Sequence, residues 1–225
     1  MTVEVIVGRH RGDDAHRDAA RGWVARWYTG RGYTVTTGTA TGEVWCKADA
    51  YNQAVAASTA DIVVLADADS FPDVDALNAA VAKTQSVGWA APFTRVRRLT
   101  YDATADLLAC DPATTDTPPS RHLEADVHDI LPGGGVVVMR RDLAVACGPY
   151  DRRFRGWGGE DFALGNAART LCGSYAATVP GPLWHLWHPR KTGMSQQTRQ
   201  LADRYRRAKF DGAATRSLID EWKQA

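Results

Sequence analysis

The chain has 225 residues, of which 44% are hydrophobic and 24% charged, enough apolar side chains for the core of one large domain. Its 27 basic and 26 acidic residues leave a formal net charge of +1, which gives no support to general binding of nucleic acids or membrane surfaces. The sequence shows neither the apolar run of a signal peptide nor a run that could span a bilayer, so we expect a cytoplasmic protein with no membrane span.

The first 94 residues alternate between strand and helix patterns. Val3–Val7 is a β-branched run that predicts a strand, and the following helix is expected to begin near Asp13 or Asp14. The stretch DIVVLADADS (61–70) is continuously apolar and ends in acids, which is typical of a central parallel strand covered on both faces. Further strands are predicted at 33–37 and 87–93, and helices at 45–58 and 74–84.

The second half of the chain begins less regularly. Residues 95–130 are rich in Pro, Thr and Asp and predict a loop-rich insertion. Residues 133–148 predict a glycine turn, a strand and a short helix, and residues 195–225 predict a C-terminal helix. The alternation indicates an α/β fold with a mixed, mostly parallel sheet flanked by helices and a C-terminal helical extension. In such a sheet, ligands bind at the carboxyl ends of the strands.

Two aspartates, Asp67 and Asp69, stand at the end of the predicted central strand. Alternate side chains of an extended chain point the same way, so the two carboxylates can converge. Two oxygen ligands at a strand end suit Mg²⁺ or Mn²⁺, which can neutralise a diphosphate. The alternative is that these acids cap the next helix, because Ser70 or Asp73 precedes its start.

The stretch PLWHLWHPRK places His185 and His188 three residues apart, between tryptophans. Neutral imidazole is a good ligand for Mn²⁺. A tight turn would bring both rings to one ion, whereas an extended chain would point them to opposite sides. The alternative is a packed tryptophan cluster in which the histidines hydrogen-bond within the core.

The stretch RGWGGEDFAL places Trp157 between two glycines, adds a third glycine and continues with two adjacent acids, Glu160 and Asp161. Glycine allows a ligand to approach the main chain closely. The acids could begin a helix, where they complement its dipole, or do acid/base work, and both can hold together.

Together these motifs resemble the metal-dependent GT-A glycosyltransferases, whose fold is Rossmann-like. The likeness is carried by VLADAD, by PGGGVVVMRRDLAVACGPYDRRFRGWGGEDFAL and by the late histidines, in that order along most of the chain. The stretch GWGGED is most similar to the β-1,4-galactosyltransferase and chondroitin-synthase-like group. Polypeptide N-acetylgalactosaminyltransferases carry a related version.

The resemblance implies a nucleotide-sugar donor, usually a UDP-sugar, bound over Mn²⁺ or Mg²⁺. Asp67 and Asp69 match the family's DxD motif. His185 and His188 match an element in which a metal ligand and a histidine are separated by two residues, with His in place of the family's Met. The implied metal ligands are Asp69, Asp67, His188 and His185.

The donor is expected to contact several further residues. Gly8 and His10 depart from the family's first-strand loop, so only the two arginines of GRHR carry over. Gly134 in PGGGVV is expected to line a bound sugar, with a plain turn as the alternative. The expected donor-binding residues are Arg9, Arg11, Asp49, Asn52, Asp67, Gly134 and Trp157.

The acceptor side is expected at the second motif. The resemblance implies that Trp157 lies against the sugars, that Asp161 is the catalytic base and that Glu160 orients hydroxyl groups; Gly158 joins Trp157 and Glu160 as an acceptor-binding residue. Phe162 stands where galactosyltransferases usually keep another acid. The expected activity is that of a hexosyl- or N-acetylhexosaminyltransferase acting on a glycan, protein or small-molecule acceptor.

The whole chain, 1–225, is then one GT-A-like domain. Its expected parts are a nucleotide-sugar-binding half (1–94), the insertion (95–130), an acceptor and catalytic half (131–194) and the C-terminal helix (195–225). A base opposite the leaving group predicts inversion at the anomeric carbon. The alternatives are a retaining transferase of the same fold, a nucleotidyltransferase and a non-catalytic module that binds sugars or nucleotides.

Overall fold

A computed structural model describes residues 1–189 and 193–224. Its strands are β1 (Val3–His10), β2 (Thr34–Ala40), β3 (Ile62–Ala66), β4 (Ser70–Pro72), β5 (Trp89–Ala91), β6 (Arg95–Leu99), β7 (Leu123–Val127), β8 (Val136–Arg140), β9 (Ala177–Thr178) and β10 (Pro182–His185). Its helices are α1 (Ala15–Thr29), α2 (Lys47–Ala57), α3 (Val74–Val87), α4 (Tyr101–Leu108), α5 (Arg141–Cys147), α6 (Glu160–Cys172), α7 (Gln196–Arg207) and α8 (Gly212–Lys223).

The strands form two sheets. The larger has the order β2-β1-β3-β8-β5-β9, in which β1 pairs in parallel with β2 and β3, and β5 with β9, while β8 is antiparallel to both of its neighbours. The smaller has the order β4-β10-β6-β7. The predicted mixed α/β architecture with flanking helices is confirmed.

Strand β3 lies inside the larger sheet because both of its faces are apolar. All five of its residues are buried. Val64 packs in the cluster that contains Trp23 of α1, whereas Val63 and Leu65 pack in the cluster that contains Tyr51 of α2. Burial on both faces explains the unbroken apolar run, and it fixes the strand end that leads into the DxD motif.

The start of α1 agrees with the sequence. Asp14 is the N-cap, and its carboxylate accepts a hydrogen bond from the backbone N–H of Arg17 at 3.0 Å. This bond satisfies one of the free N–H groups of the first turn, and it lowers the pKa of Asp14. The helix therefore begins where the predicted acids stand.

The region 95–130 is more ordered than expected. It contains β6, α4 and β7, and residues 109–122, between α4 and β7, form neither helix nor strand. The ordered elements of this segment were not predicted, because β6 is stabilised by long-range pairing with β10 and β7, which a local pattern does not show. Helix α4 is short, and its N-cap Thr100 accepts a bond from the N–H of Ala103.

The C-terminal region forms two helices, not the single helix predicted for 195–225. The break falls at Phe210, which has φ 74°, and Asp211, whose side chain caps α8. One buried apolar cluster contains Leu201 and Tyr205 of α7, Leu218 of α8 and residues near the start of α6. The two helices thus pack behind the GWGGED segment.

None of the helices in 1–189 and 193–224 combines the length and the hydropathy that a bilayer span requires.

Candidate active site

The DxD motif sits in a tight bend between β3 and β4. The N–H of Asp67 donates to the carbonyl of Gly135 at 2.7 Å, and the N–H of Ser70 donates to the carbonyl of Asp67 at 3.2 Å. Strand β4 then pairs antiparallel with β10, with Ser70 opposite His185. The N–H of Leu186 donates to the carbonyl of Asp69 at 2.8 Å, so main-chain bonds hold the late histidines beside the motif.

Asp69, His185 and His188 form one cluster. Each offers a ligand atom, and these atoms lie within 4.8 Å of one another. His188 Nε2 is 3.1 Å from Asp69 Oδ2, and His185 Nε2 is 3.8 Å from Asp69 Oδ1. Strand β10 ends at His185, and residues 186–189 form neither a helix nor a turn. Both rings nevertheless lie beside the same carboxylate, so the two histidines can reach one ion.

His185 has the protonation that a metal ligand needs. Its Nδ1 is 2.8 Å from the carbonyl of Leu186, which only accepts, so Nδ1 carries the proton and Nε2 keeps its lone pair. Arg98 Nη1 lies 3.1 Å from that Nε2. Burial lowers the pKa of His185 to about 4, more than the nearby Asp69 raises it, so the ring is neutral at pH 7.

Asp69 is ionised although it is buried. Burial alone would raise its pKa, but His185, His188 and Arg17 hold it well below its ordinary value. Because His185 is neutral at pH 7, the hydrogen bond from His188 and the charge of Arg17 are the effective partners there. Arg17 Nη2 lies 2.8 Å from His188 Nδ1. Asp69 also raises the pKa of His188 against the effect of burial.

Asp67 belongs to a second cluster. Its Oδ1 lies 2.7 Å from Lys47 Nζ, which is also 2.8 Å from Asp161 Oδ1. Among the residues that the structure describes, the group of three potential metal ligands contains Asp69 but not Asp67. Burial raises the pKa of Asp67 to about 6, with Lys47 opposing the rise. The two aspartates thus face different partners, and a metal-binding role of Asp67 stays a prediction.

The glycines of GWGGED make a turn that other residues rarely adopt. Gly156, Gly158 and Gly159 have φ of 80°, 99° and 91°. Trp157 projects from this turn and is 61% exposed. Helix α6 begins directly afterwards with Glu160 and Asp161 in its first turn, where they complement the dipole.

The glycine turn 133–135 makes room for the start of α6. A methyl group added to Gly133 would overlap the carbonyl oxygen of Asp161, and one added to Gly134 would lie 2.5 Å from Asp161 Oδ2. Gly134 therefore borders the predicted base. Whether it also lines a bound sugar stays a prediction.

Glu160 is a buried acid without a protein partner for one oxygen. Glu160 is 7% exposed, and no described group hydrogen-bonds to its Oε2. Burial, and then the charge of Asp161, raises the pKa of Glu160 to about 7. A buried carboxyl oxygen without a partner, next to the predicted base, marks Glu160 as a candidate for a functional role.

The remaining predicted donor residues have partners of their own. Arg9 Nε is 3.8 Å from Asp18 Oδ1. Asp49 pairs with Arg155 at 2.6 Å. Asn52 bonds through both side-chain groups to the backbone of Tyr150. Arg11 is exposed just beyond β1.

Three residues of the site belong to no motif recognised in the sequence: Lys47, Arg17 and Arg98. Lys47 and Tyr51 are four residues apart on the buried face of α2, a spacing that could have drawn attention to a lysine facing inward. The arginines carry no such signal, because they reach the histidines from α1 and β6, elements distant in sequence.

Three solved structures have a similar fold. The catalytic domain of Drosophila β1,4-galactosyltransferase 7 in complex with xylobiose has a TM-score of 0.54 and 13% identity, covering 90% of this chain and 79% of that chain. A mutant of that enzyme in complex with manganese, UDP-Gal and xylobiose gives 0.54 and 12% over the same shares. GalNAc-T7 with UDP, GalNAc and Mn²⁺ gives 0.55 and 14%, covering 93% of this chain and 48% of that chain.

At these identities the likeness shows the fold alone, and it confirms the predicted GT-A architecture. No curated protein matches the chain. The model of a family described as glycosyltransferase like family 2 matches residues 1–210. Since this match spans nearly the whole chain, the protein belongs to the glycosyltransferase-like family 2.

Proposed function

We propose that this protein transfers a hexosyl or N-acetylhexosaminyl group from a UDP-sugar to an acceptor hydroxyl, with inversion and with the help of Mn²⁺ or Mg²⁺. The observation that carries the proposal is the pairing of two clusters at one sheet edge. One is Asp69 with His185 and His188, and the other contains Asp161. The two clusters are adjacent, because Asp67 of the DxD motif shares an ion pair with Lys47, which also contacts Asp161.

The first cluster fits a divalent cation. It offers one carboxylate and two imidazoles, His185 keeps its Nε2 free of a proton, and Asp69 is ionised at pH 7. A bound metal would neutralise the diphosphate that leaves when the sugar is transferred. Binding at His188 would displace the proton that Nε2 shares with Asp69, so affinity should rise with pH.

The second cluster fits the acceptor. Asp161 is proposed to take the proton from the acceptor hydroxyl, and Glu160, one oxygen of which lacks a partner, is proposed to orient a neighbouring hydroxyl. The exposed ring of Trp157, together with the backbone of Gly158, offers a flat face to a sugar. A base opposite the leaving group supports inversion, with a transition state that resembles an oxocarbenium ion.

The donor is proposed to lie along the carboxyl ends of β1 and β3. Arg9 and Arg11 at β1, and Asp67 at β3, are proposed to contact the nucleotide, and Gly134 the sugar. Asp49 and Asn52 are proposed to border the pocket from α2, Asn52 indirectly through its hydrogen bonds to the backbone of Tyr150. UDP is favoured as the nucleotide by its presence in the solved structures of similar fold.

The test is thermal stability with UDP, GDP and four UDP-sugars, each with and without Mn²⁺. Ligand at a hundred times its Kd should raise the free energy of unfolding by about 2.7 kcal/mol. We expect stabilisation by UDP or a UDP-sugar that requires Mn²⁺ and is lost in Asp69→Asn. Asp142→Asn is the matched control, because Asp142 is exposed and pairs with Arg140 away from the site.

Turnover then separates the rival activities. A transferase releases UDP, whereas a nucleotidyltransferase releases pyrophosphate. Donor binding without release of either product, unchanged by Asp161→Asn, would indicate a binding module. If no nucleotide stabilises the protein with or without Mn²⁺, the donor site is wrong.

A further inference from the structure

One buried cation joins three elements of the candidate site. Lys47 is the first residue of α2, and its side chain is 6% exposed. Its Nζ lies 2.7 Å from Asp67 Oδ1, just after β3, and 2.8 Å from Asp161 Oδ1, in the first turn of α6. The proposed function uses both aspartates and assigns nothing to the lysine.

Lys47 stays charged in this position. Burial would lower its pKa, but the charges of Asp161 and Asp67 raise it well above its usual value. The rings of Tyr150 and Tyr51 lie 4.9 and 5.9 Å from Nζ. A buried ammonium gripped by two carboxylates, with aromatic rings around it, has little freedom to move.

The contact decides which oxygen of Asp161 is available. Oδ1 is bonded to Lys47. Oδ2 lies on the side of Gly134, where a methyl group would stand 2.5 Å away. The carboxylate is therefore held through Oδ1. Its Oδ2 faces the backbone of Gly134, where any larger residue would place a side-chain carbon against this oxygen.

We propose that Lys47 is a positioning residue for sugar transfer: it holds Asp161 through Oδ1 so that Oδ2 meets the acceptor hydroxyl. This inference rests on the function proposed above. Lys47 touches neither sugar in this scheme and acts through Asp161. The rival role is a structural one, in which Lys47 only compensates the charge of the half-buried Asp67.

A double-mutant cycle separates the two roles, because residues that act through one another do not add. The variants are Lys47→Met, Asp161→Asn and the double variant. The readout is kcat and KM for UDP release, with water as acceptor, from the UDP-sugar that stabilises the protein most with Mn²⁺. Lys83→Met is the matched control, since Lys83 is an exposed helix lysine.

We expect each single variant to lose at least about 100-fold in kcat, the lower end of what a positioned general base contributes. In the Asp161→Asn background, adding Lys47→Met should lower kcat by a further factor of less than about three. A further 100-fold loss in that background would overturn the positioning role while leaving the proposed function standing. An unchanged kcat in Asp161→Asn would instead overturn the assignment of the base.

The same four proteins give a second readout that needs no turnover. Lys47→Met leaves two half-buried carboxylates without their shared cation, so its urea midpoint should fall, and adding Asp161→Asn should recover part of the loss. Equal losses in both backgrounds would show that Lys47 is not coupled to Asp161. Lys47→Arg keeps the charge and should retain more of kcat than Lys47→Met if position and charge both act on the base.

Discussion

Glu160 should make the stability of the protein fall as the pH rises through the neutral range. Its carboxyl is buried, one oxygen lacks a protein partner, and burial raises its pKa from 4.5 to about 7. The unfolded chain gives up this proton near pH 4.5, whereas the folded protein keeps it until about pH 7. Between these values the unfolded state binds fewer protons, so the free energy of unfolding decreases with pH.

The size of the effect follows from the two pKa values. Each unit of difference corresponds to about 1.4 kcal/mol, so the interval between 4.5 and about 7 corresponds to about 3 kcal/mol. The contribution is zero below pH 4.5, grows through the interval, and is complete above pH 7. In Glu160→Gln this loss should be absent, because an amide does not ionise.

The assay is urea unfolding of the wild type and Glu160→Gln at pH values from 4 to 8.5. Groups that do not interact with Glu160 titrate equally in both proteins, so the difference between the two curves reports Glu160 together with its charge interaction with Asp161. Between pH 4 and pH 8, we expect the free energy of unfolding of the variant to increase by about 3 kcal/mol relative to that of the wild type. Parallel curves would refute the reasoning, and Glu43→Gln, at an exposed position, is the matched control.

Three further predictions follow from individual contacts. Gly38→Ala should destabilise the protein by at least about 2 kcal/mol in urea unfolding, because the new methyl group would overlap the carbonyl oxygen of Ala50 in α2. Gly134→Ala should lower kcat at least about tenfold by displacing Asp161, and an unchanged kcat would remove Gly134 from the site. Trp157→Ala should raise the KM for the acceptor and leave Tm unchanged, since the ring is 61% exposed; a fall in Tm would assign Trp157 to the core instead.

The sequence predicted those elements whose pattern is local. The apolar run before Asp67 indicated a strand buried on both faces, and the acids near Asp14 indicated the start of α1. Both signals depend on residues close together in the chain.

The missed features depend on distant residues. Strand β6 pairs with β10, more than eighty residues later, and its arginines gave no apolar alternation to follow. The insertion was therefore expected to be loop-rich. The break at Phe210 was missed because a positive φ at a non-glycine residue leaves no compositional mark.

The sequence predicted individual residues of the candidate site but not the contacts between them. Asp69, His185, His188 and Asp161 were named from motifs, and the structure brings the first three together. It also places Lys47 between Asp67 and Asp161, a contact that requires α2, β3 and α6 to be packed already. Spacing in the sequence cannot reveal a cation whose two partners belong to other elements.

The three potential metal ligands, Asp69, His185 and His188, lie far apart in the sequence, and this separation has a consequence for folding. Asp69 comes from the first half of the chain and the two histidines from near its end, and only the paired strands β4 and β10 bring them together. An unfolded chain therefore offers no comparable chelating group, since closing so long a loop carries an entropic cost. A divalent cation that binds here would act as a clamp between the two halves. Its occupancy would then report whether the protein is folded.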